Sequence, residues 1–382
     1  MNKVDAVIIG AGISGLATAY FLAKKGMTDI IVIDKSFITS GSTGRCGAGV
    51  RQQWGTKSNC ILAKKSIEFF ETAQEVLEYE KDLEFKQEGY LILSTSKEED
   101  KEFAKNVKLQ KSIGIPSRRC TIEEALEIVP HLNPKSFTSA TFCNTDGHIN
   151  PFLMSEAFYL AGKKLGVKYC FYEEVKDIIV IDNEICGVLT DKQKIQTKIV
   201  VNAAGGFAKE VGDMAGIDIP VYSENHEILV TEPTRKIQGP MVMSFSKNIY
   251  CQQVPHGSFL MGRSNPEAKP SHDISSSWKF LDHMSKTVCD ILPEVGKLRV
   301  IRTWGGSYNV SPDHQPIISN HEELKGYYMA CGYSGHGFMF APITGELISQ
   351  MILKEELEDY AKELNIKRFK DNRITDFEKS VV

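Results

Sequence analysis

The chain has 382 residues, with 45 Lys and Arg against 49 Asp and Glu, a formal net charge of −4 and 42% hydrophobic residues. That is globular composition with scattered basic residues, which excludes a nucleic-acid surface, and no apolar run approaches the ~20 residues that cross a bilayer. The length exceeds what one core usually supports and predicts two intimately joined domains.

The opening stretch MNKVDAVIIG runs straight into a strand, without a basic region, a long apolar run and a small-residue cleavage site. Residues 5–9 form an apolar run bounded by glycine, the pattern of a buried parallel strand. From Ser14 to Lys25 the residues Leu16, Ala19, Tyr20, Leu22 and Ala23 recur at helical spacing, with Gly26 placed to end the helix. Residues 29–34 give a second strand ending in Asp34. Between them lies GAGISG, where Gly10 makes the tight turn, Gly12 lets backbone approach a pyrophosphate and Gly15 lets helix pack on strand. Phosphate would sit on the free N–H groups of Ala11, Ile13 and Ser14 at the helix N-terminus, and Asp34, 19 residues past Gly15, would accept from ribose hydroxyls. Strand, spacing, helix and acid together read as a dinucleotide site rather than a bare turn.

A nicotinamide enzyme would continue with alternating strands and helices. This chain continues with GSTGRCGAGVRQQWG at 41–55, five glycines in fifteen positions. Such a stretch suits backbone lying along a long cofactor with its N–H groups aimed at phosphate and ring edge. Residues 89–93 read as a strand, 97–112 as a charged surface helix, and Thr121-x-x-Glu124 as a capping box for a helix ending before Pro130. His148 lies in a turn that opens a helix. KIVVNAAGGFA at 198–208 reads as strand, small-residue turn and helix. The segments HEILVTEP, GPMVMSF, NIYCQQV and SFLMGR, then residues 298–308, read as an antiparallel sheet, with one helix near 275–291. Finally YYMACGYSGHGFMFAPITGELISQMI at 327–352 reads as a strand, Gly332, Gly335 and Gly337, and a helix with Pro342 in its first turn. The tail from about 356, rich in Lys and Glu, reads as a solvated helix or extension.

Four glycine-rich strand ends far apart in sequence predict a nucleotide domain built from separate pieces, which suits FAD better than NAD. The expected fold is therefore α/β: a discontinuous Rossmann-like FAD-binding domain (1–88, 145–222 and 310–355), a substrate and lid domain with an antiparallel sheet (89–144 and 223–309), and an extension at 356–382. Nine cysteines without any C-x-x-C argue against a metal and fit reduced thiols, so the expected place is the cytoplasm.

Taken in order, GAGISG with Asp34, GSTGRCGAGVRQQ, TDGHINPF, VVNAAGGFA, RTWGGSYNVSPD and CGYSGHGFMFAP resemble the D-amino-acid-oxidase-like FAD oxidoreductases. The resemblance runs to about residue 355 and is strongest to the β subunits of heteromeric sarcosine oxidases and of L-proline dehydrogenase. It implies hydride transfer to flavin N5 from the carbon beside an amine nitrogen of an amino acid such as proline, hydroxyproline or sarcosine. It also implies flavin contacts from Lys35, Ser42, Thr43, Arg45, Cys46, Gly47, Ala48, Gly49, Gln52, Val175, Ala203, Ala204, Gly205, Gly306, Gly332, Gly335, His336, Gly337, Phe338 and Met339. The positive end of the last helix would face the flavin pyrimidine.

Arg51 aligns with the family arginine that clamps substrate carboxylate, and its fork suits a carboxylate. Pairing with a flavin phosphate or a structural acid is the other role open to it. Arg302 is the second candidate for the clamp. Tyr250 and His226 line the amine end or simply pack. His336 stabilises its loop or touches flavin rather than acting as base, and Trp304 packs. No cysteine lies between Arg302 and Asp313, which implies non-covalent FAD. Met339 replaces the lysine that monomeric sarcosine oxidases use, and SFLMGR has no oxygen-activating lysine. Both departures favour a dehydrogenase subunit passing electrons to a partner or acceptor over a self-sufficient glycine or sarcosine oxidase releasing peroxide. A non-catalytic flavoprotein subunit is the third reading. In the heteromeric relatives FMN relays electrons between subunits, and the sequence does not decide whether it does so here.

Overall fold

The computed structural model describes residues 2–265, 267–370, 374 and 377–381. A six-stranded sheet carries the strands Ile317–Asn320, Tyr327–Cys331, Val200–Asn202, Ala6–Ile9, Ile30–Asp34 and Lys168–Phe171 in that spatial order. All neighbours are parallel except Ile317–Asn320 against Tyr327–Cys331. Alternate residues face opposite cores. Ile8, Ile30 and Val32 pack beneath the helices Ile13–Lys24, Pro151–Lys164 and Gly337–Leu353, whereas Val7, Ile9, Ile31 and Ile33 face a four-stranded sheet. Burial on both faces is why these strands read as continuous apolar runs. The four-stranded sheet, built mainly from the hairpin Val175–Ile181 and Glu184–Thr190, is absent from the expected layout.

A second sheet has eight strands, ordered Val300–Val310, Tyr222–Thr231, Phe259–Ser264, Ile249–Gln253, Met241–Ser244, Tyr90–Ser94, Ser139–Cys143 and Arg118–Cys120. It is antiparallel as expected except where Met241–Ser244 runs parallel to Tyr90–Ser94. Period-two alternation sorts its side chains. Leu91 and Leu93 join a core closed by the helices Ile122–Ile128 and Trp278–Ile291, while Tyr90 and Ile92 join Met241, Met243, Ile228 and Tyr250 on the other face. The capping box at Thr121 and Glu124 is formed.

Two expectations need correction. Pro342 is not in a first turn: the helix begins at Gly337, so Pro342 lies inside it. The segment after 356 is not a solvated extension. Tyr360, Ala361 and Leu364 are buried, Arg368 forms a buried ion pair with Asp313 at 2.7 Å, and Glu378 and Ser380 are buried against the nucleotide-side core. Part of that segment (371–373, 375–376 and 382) lies outside the described residues. Among the described residues no helix is long and apolar enough to cross a membrane, and no group of acidic, histidine and cysteine side chains could hold a metal ion.

Candidate active site

Between the glycine-rich strand ends and the inner face of the eight-stranded sheet lies a cavity of about 630 Å³. At one end the GAGISG turn has Gly10 at φ 110°, and a Cβ there would strike the Ala203 carbonyl; a Cβ on Gly15 would strike Gly10's own carbonyl. The helix Ile13–Lys24 starts at Gly12 with no acid in its first turn; Thr43 Oγ1 accepts from the Ile13 N–H at 3.1 Å, so that N–H is not the free donor expected, and the rest of the helix's positive end is left for an anion. Asp34 is engaged on both oxygens, by Ala11 N–H at 2.7 Å and Ser36 N–H at 2.8 Å. Asp34 also helps to line the cavity, and each carboxylate oxygen can accept a second hydrogen bond.

The 41–55 loop is tied to the eight-stranded sheet. Ser42 donates to the Ser307 carbonyl at 2.6 Å, Trp304 Nε1 to the Arg45 carbonyl at 3.0 Å, and Gln252 to the Gly47 carbonyl at 2.6 Å. Gly49 leaves room for the Tyr90 hydroxyl, which a Cβ would occupy. These ties bring Arg51 under the inner sheet face, 2% exposed. Its Nη1 donates to the Gln53 carbonyl at 2.9 Å and its Nη2 to the Ser380 carbonyl at 2.7 Å, and its guanidinium lies 3.7 Å from the Trp54 ring centre. Nε has no partner, and among the described residues Arg51 makes no ion pair. Burial pushes its pKa down, while Tyr90, Glu378 and Asp146 push it back up.

Across the cavity, His226 lies flat between Tyr308 and Tyr250, with centroids at 4.1 and 5.7 Å and planes within 5°. Its Nε2 is 3.3 Å from the Tyr250 hydroxyl and its Nδ1 has no partner. Burial pushes its pKa down to about 3, so the ring is neutral. Tyr250 fits because Gly262 opposite it has no side chain, and Tyr308 fits because Gly335 has none. His336, at the start of the helix Gly337–Leu353, sets its ring edge-on to Trp54 at 4.2 Å. Burial first, then the Arg51 charge, holds it well below the usual histidine value, which rules out a resting imidazolium.

The structure brings most of the expected residues to this cavity: Gly10, Gly12, Ile13, Ser14, Asp34, Lys35, Ser42, Thr43, Arg45, Cys46, Gly47, Ala48, Gly49, Arg51, Val175, Ala203, Ala204, Gly205, His226, Tyr250, Gly306, Gly335, His336, Gly337, Phe338 and Met339. Five stand elsewhere. Arg302 is exposed on the outer part of Val300–Val310, beside Trp304, and does not line the cavity. Gln52 turns to Asp146, which accepts from its N–H at 2.8 Å, and to Thr145. Ala11 spends its N–H on Asp34, Gly15 sits beneath the turn, and Gly332 gives its N–H to Asn309 at 2.6 Å. The expectation missed Tyr90, Met241, Met243, Ser307, Tyr308 and Asn309. Alternation within GYLIL and PMVMS could have found the first three; nothing in RTWGGSYNV marks the others.

Five buried polar atoms on residues lining this cavity have no partner among the described residues: Arg51 Nε, His226 Nδ1, His336 Nδ1, Ser307 Oγ and Asn309 Nδ2. Buried polar groups are nearly always paired, so their convergence marks a cavity built around a polar ligand. An open helix N-terminus at one end and hydrogen-bonding groups with aromatic rings at the other suit a dinucleotide carrying a heteroaromatic ring system.

Comparison with known proteins agrees. Residues 5–351 match the family described as DAO, FAD dependent oxidoreductase, and the chain belongs to that family. It is therefore an FAD-dependent oxidoreductase. It is similar to the sarcosine oxidase subunit beta of Arthrobacter sp, 26% identical over 98% of this chain and 93% of that protein. It is also similar to the rat mitochondrial dimethylglycine dehydrogenase, 27% identical over 93% of this chain but only 43% of that longer protein. Among solved structures, L-proline dehydrogenase from P. horikoshii superposes with a TM-score of 0.93 at 39% identity, covering 97% of this chain and 99% of that one. Glycine oxidase from Geobacillus kaustophilus, 21% identical with a TM-score of 0.88, shares the fold.

Proposed function

We propose that this chain is the FAD-bearing catalytic subunit of an amino-acid dehydrogenase that oxidises a secondary amine such as proline, hydroxyproline or sarcosine. The observation that carries the reading is Arg51: a buried guanidinium on the cavity wall that, among the described residues, makes no ion pair and leaves Nε unpaired. Glu378 and Asp146 offset the cost of burying this cation only from a distance, and a carboxylate ligand paired directly with it offsets more. The names of the similar proteins, acting on sarcosine, dimethylglycine and proline, support the substrate class.

FAD, when bound, supplies the acceptor for the hydride leaving the carbon beside nitrogen. The GAGISG turn would hold its phosphates, and Asp34 its ribose. Arg51 would take the substrate carboxylate through its free N–H groups and so fix which C–H faces the ring. The substrate amine must be neutral before it can lose a hydride. Tyr90, Met241, Met243 and Tyr250 exclude water around it, and desolvation beside the Arg51 charge favours the neutral amine. Neutral His226 would offer a hydrogen bond to that nitrogen without adding a second positive charge. Hydride loss from the neutral amine leaves a protonated imine, which takes up water and hydrolyses after release.

The strand Phe259–Ser264 contains no lysine and Met339 lines the cavity, which supports electron delivery to a partner subunit or acceptor rather than to oxygen. The subunit name of the sarcosine oxidase relative supports a partner chain, with FMN at the junction as an accompanying proposal. The test is anaerobic mixing of the FAD-loaded chain with L-proline, D-proline, hydroxyproline, sarcosine and glycine. Bleaching of the flavin by a secondary amine, with dye reduction in air far exceeding peroxide release, is expected. Peroxide matching dye reduction would install the oxidase reading, and a flavin that stays yellow with every amine would leave only a conduit.

A further inference from the structure

The segment 377–381 lies far from the glycine motifs in sequence, yet it is fastened to the candidate clamp. Glu378 is fully buried, and its carboxylate accepts from the N–H of Gly55 at 3.2 Å, the N–H and hydroxyl of Thr56 at 3.0 and 2.9 Å, and Asn59 Nδ2 at 3.2 Å. These donors gather at the start of the helix Lys57–Val76, where Thr56 supplies no side-chain cap of its own. Glu378 N–H donates to the Asp313 carbonyl at 3.0 Å, and Asp313 is itself held by Arg368. Ser380 N–H folds back onto Glu378 Oε1 at 2.9 Å, and this turns the Ser380 carbonyl toward Arg51 Nη2, 2.7 Å away.

We propose that Glu378 and Ser380 are positioning residues for Arg51: the anchored segment holds one edge of the guanidinium through the Ser380 carbonyl, so that Nε and the remaining N–H groups face the cavity. The geometry is divided between two holders. Gln53 and Ser380 carbonyls each take one donor, and Trp54 lies under the plane. Of five guanidinium N–H groups two are thereby spent, which leaves Nε–H and one N–H on each of Nη1 and Nη2; Nε is the buried nitrogen with no partner at all among the described residues. Glu378 acts on Arg51 through Ser380, through Gly55 and Thr56 beside Trp54, and through its charge, so it acts by placement and not by touching substrate. The idea rests on the reading of Arg51 as the carboxylate clamp, and the test separates the two.

The FAD-loaded chain is titrated with cyclopentanecarboxylate, which carries no oxidisable amine, and with cyclopentanecarboxamide, its uncharged counterpart. Perturbation of the flavin absorption band gives Kd for each. Deletion of residues 380–382 removes the acceptor and leaves Glu378 in place; Glu378→Ala removes the anchor. Both are expected to hold FAD and to weaken the carboxylate about tenfold while leaving the carboxamide within about twofold, because a misplaced fork loses the charge-assisted pair and little else. With an oxidisable amino acid the same loss appears in KM more than in kcat, as for an interaction made equally in ground and transition states. Parent-like carboxylate binding in the 380–382 deletion overturns the proposal, as does equal weakening of both ligands. If Glu378→Ala fails to fold, the deletion alone decides. Arg51→Ala serves as reference: if it binds the carboxylate as the parent does, the clamp reading itself falls, whatever the deletion shows.

Discussion

The His226 imidazole and the Tyr308 ring lie face to face, centroids 4.1 Å apart, on adjacent strands where His226 pairs with Gly306. Stacking on one side and Tyr250 on the other keep water from the ring, and that burial holds its pKa near about 3. A neutral imidazole cannot supply an ionisation to the reaction between pH 5 and 8. His226→Phe keeps the stack and removes both nitrogens. It is expected to retain FAD and to slow flavin reduction about 10- to 100-fold, the range for losing one hydrogen bond to a charged or charge-developing group. Any limb of the rate–pH profile in that window should persist unchanged in the variant. Disappearance of such a limb would show that His226 titrates there.

The nucleotide turn makes a sharper claim. Gly10 combines φ 110° with direct contact on the Ala203 carbonyl, so Gly10→Ala is strained twice, by backbone conformation and by collision with backbone that cannot swing away. The variant is expected to fold with a lower Tm and to purify without yellow colour. A variant that retains full flavin content would mean that the turn tolerates a methyl group and that phosphate binding does not depend on its closeness.

Much of this is legible in the sequence, and the part that is not has a common physical cause. Glycine spacing reported the cofactor end, because a tight turn and a close backbone approach each demand a residue without Cβ. Continuous apolar runs reported the six-stranded sheet, because both its faces are covered. What sequence does not report is where along a strand the cavity ends. Arg302 shows this. It lies six residues before Tyr308, in unbroken register and on the same face of the strand, yet Tyr308 lines the cavity while the end that carries Arg302 runs past it into solvent. Nor does sequence show that residues near 380 return to Arg51, since that meeting depends on a buried Glu378 with no local pattern to mark it.

The same observation yields a negative control. Arg302 is exposed and makes no ion pair among the described residues, its nearest ring being Trp304 at 5.5 Å. Arg302→Ala should therefore change stability by no more than about 0.5 kcal/mol, as for an ordinary surface position. Substrate affinity should be untouched. A rise in KM with this variant, measured beside Arg51→Ala, would restore it as a rival for the carboxylate.

Acid sensitivity follows from a histidine away from the cavity. His148 is 6% exposed on the short strand Gly147–His148, its Nε2 has no partner, and burial above all lowers its pKa from 6.5 to about 4. The folded state thus binds this proton less readily than the unfolded chain. Stability from the neutral ring is complete above pH 6.5, falls as pH drops toward 4, and is spent below that. Within the window the slope is about 1.4 kcal/mol per pH unit for one such group. His226 and His336 are depressed in the same sense and steepen the total. Urea unfolding of His148→Gln, measured at half-unit steps from pH 7 to 4, is expected to lose that increment of slope, whatever the variant's stability at pH 7. A slope identical to the parent's would mean that His148 already takes up its proton in the folded protein, with water or a neighbouring acid such as Glu88 reaching the ring.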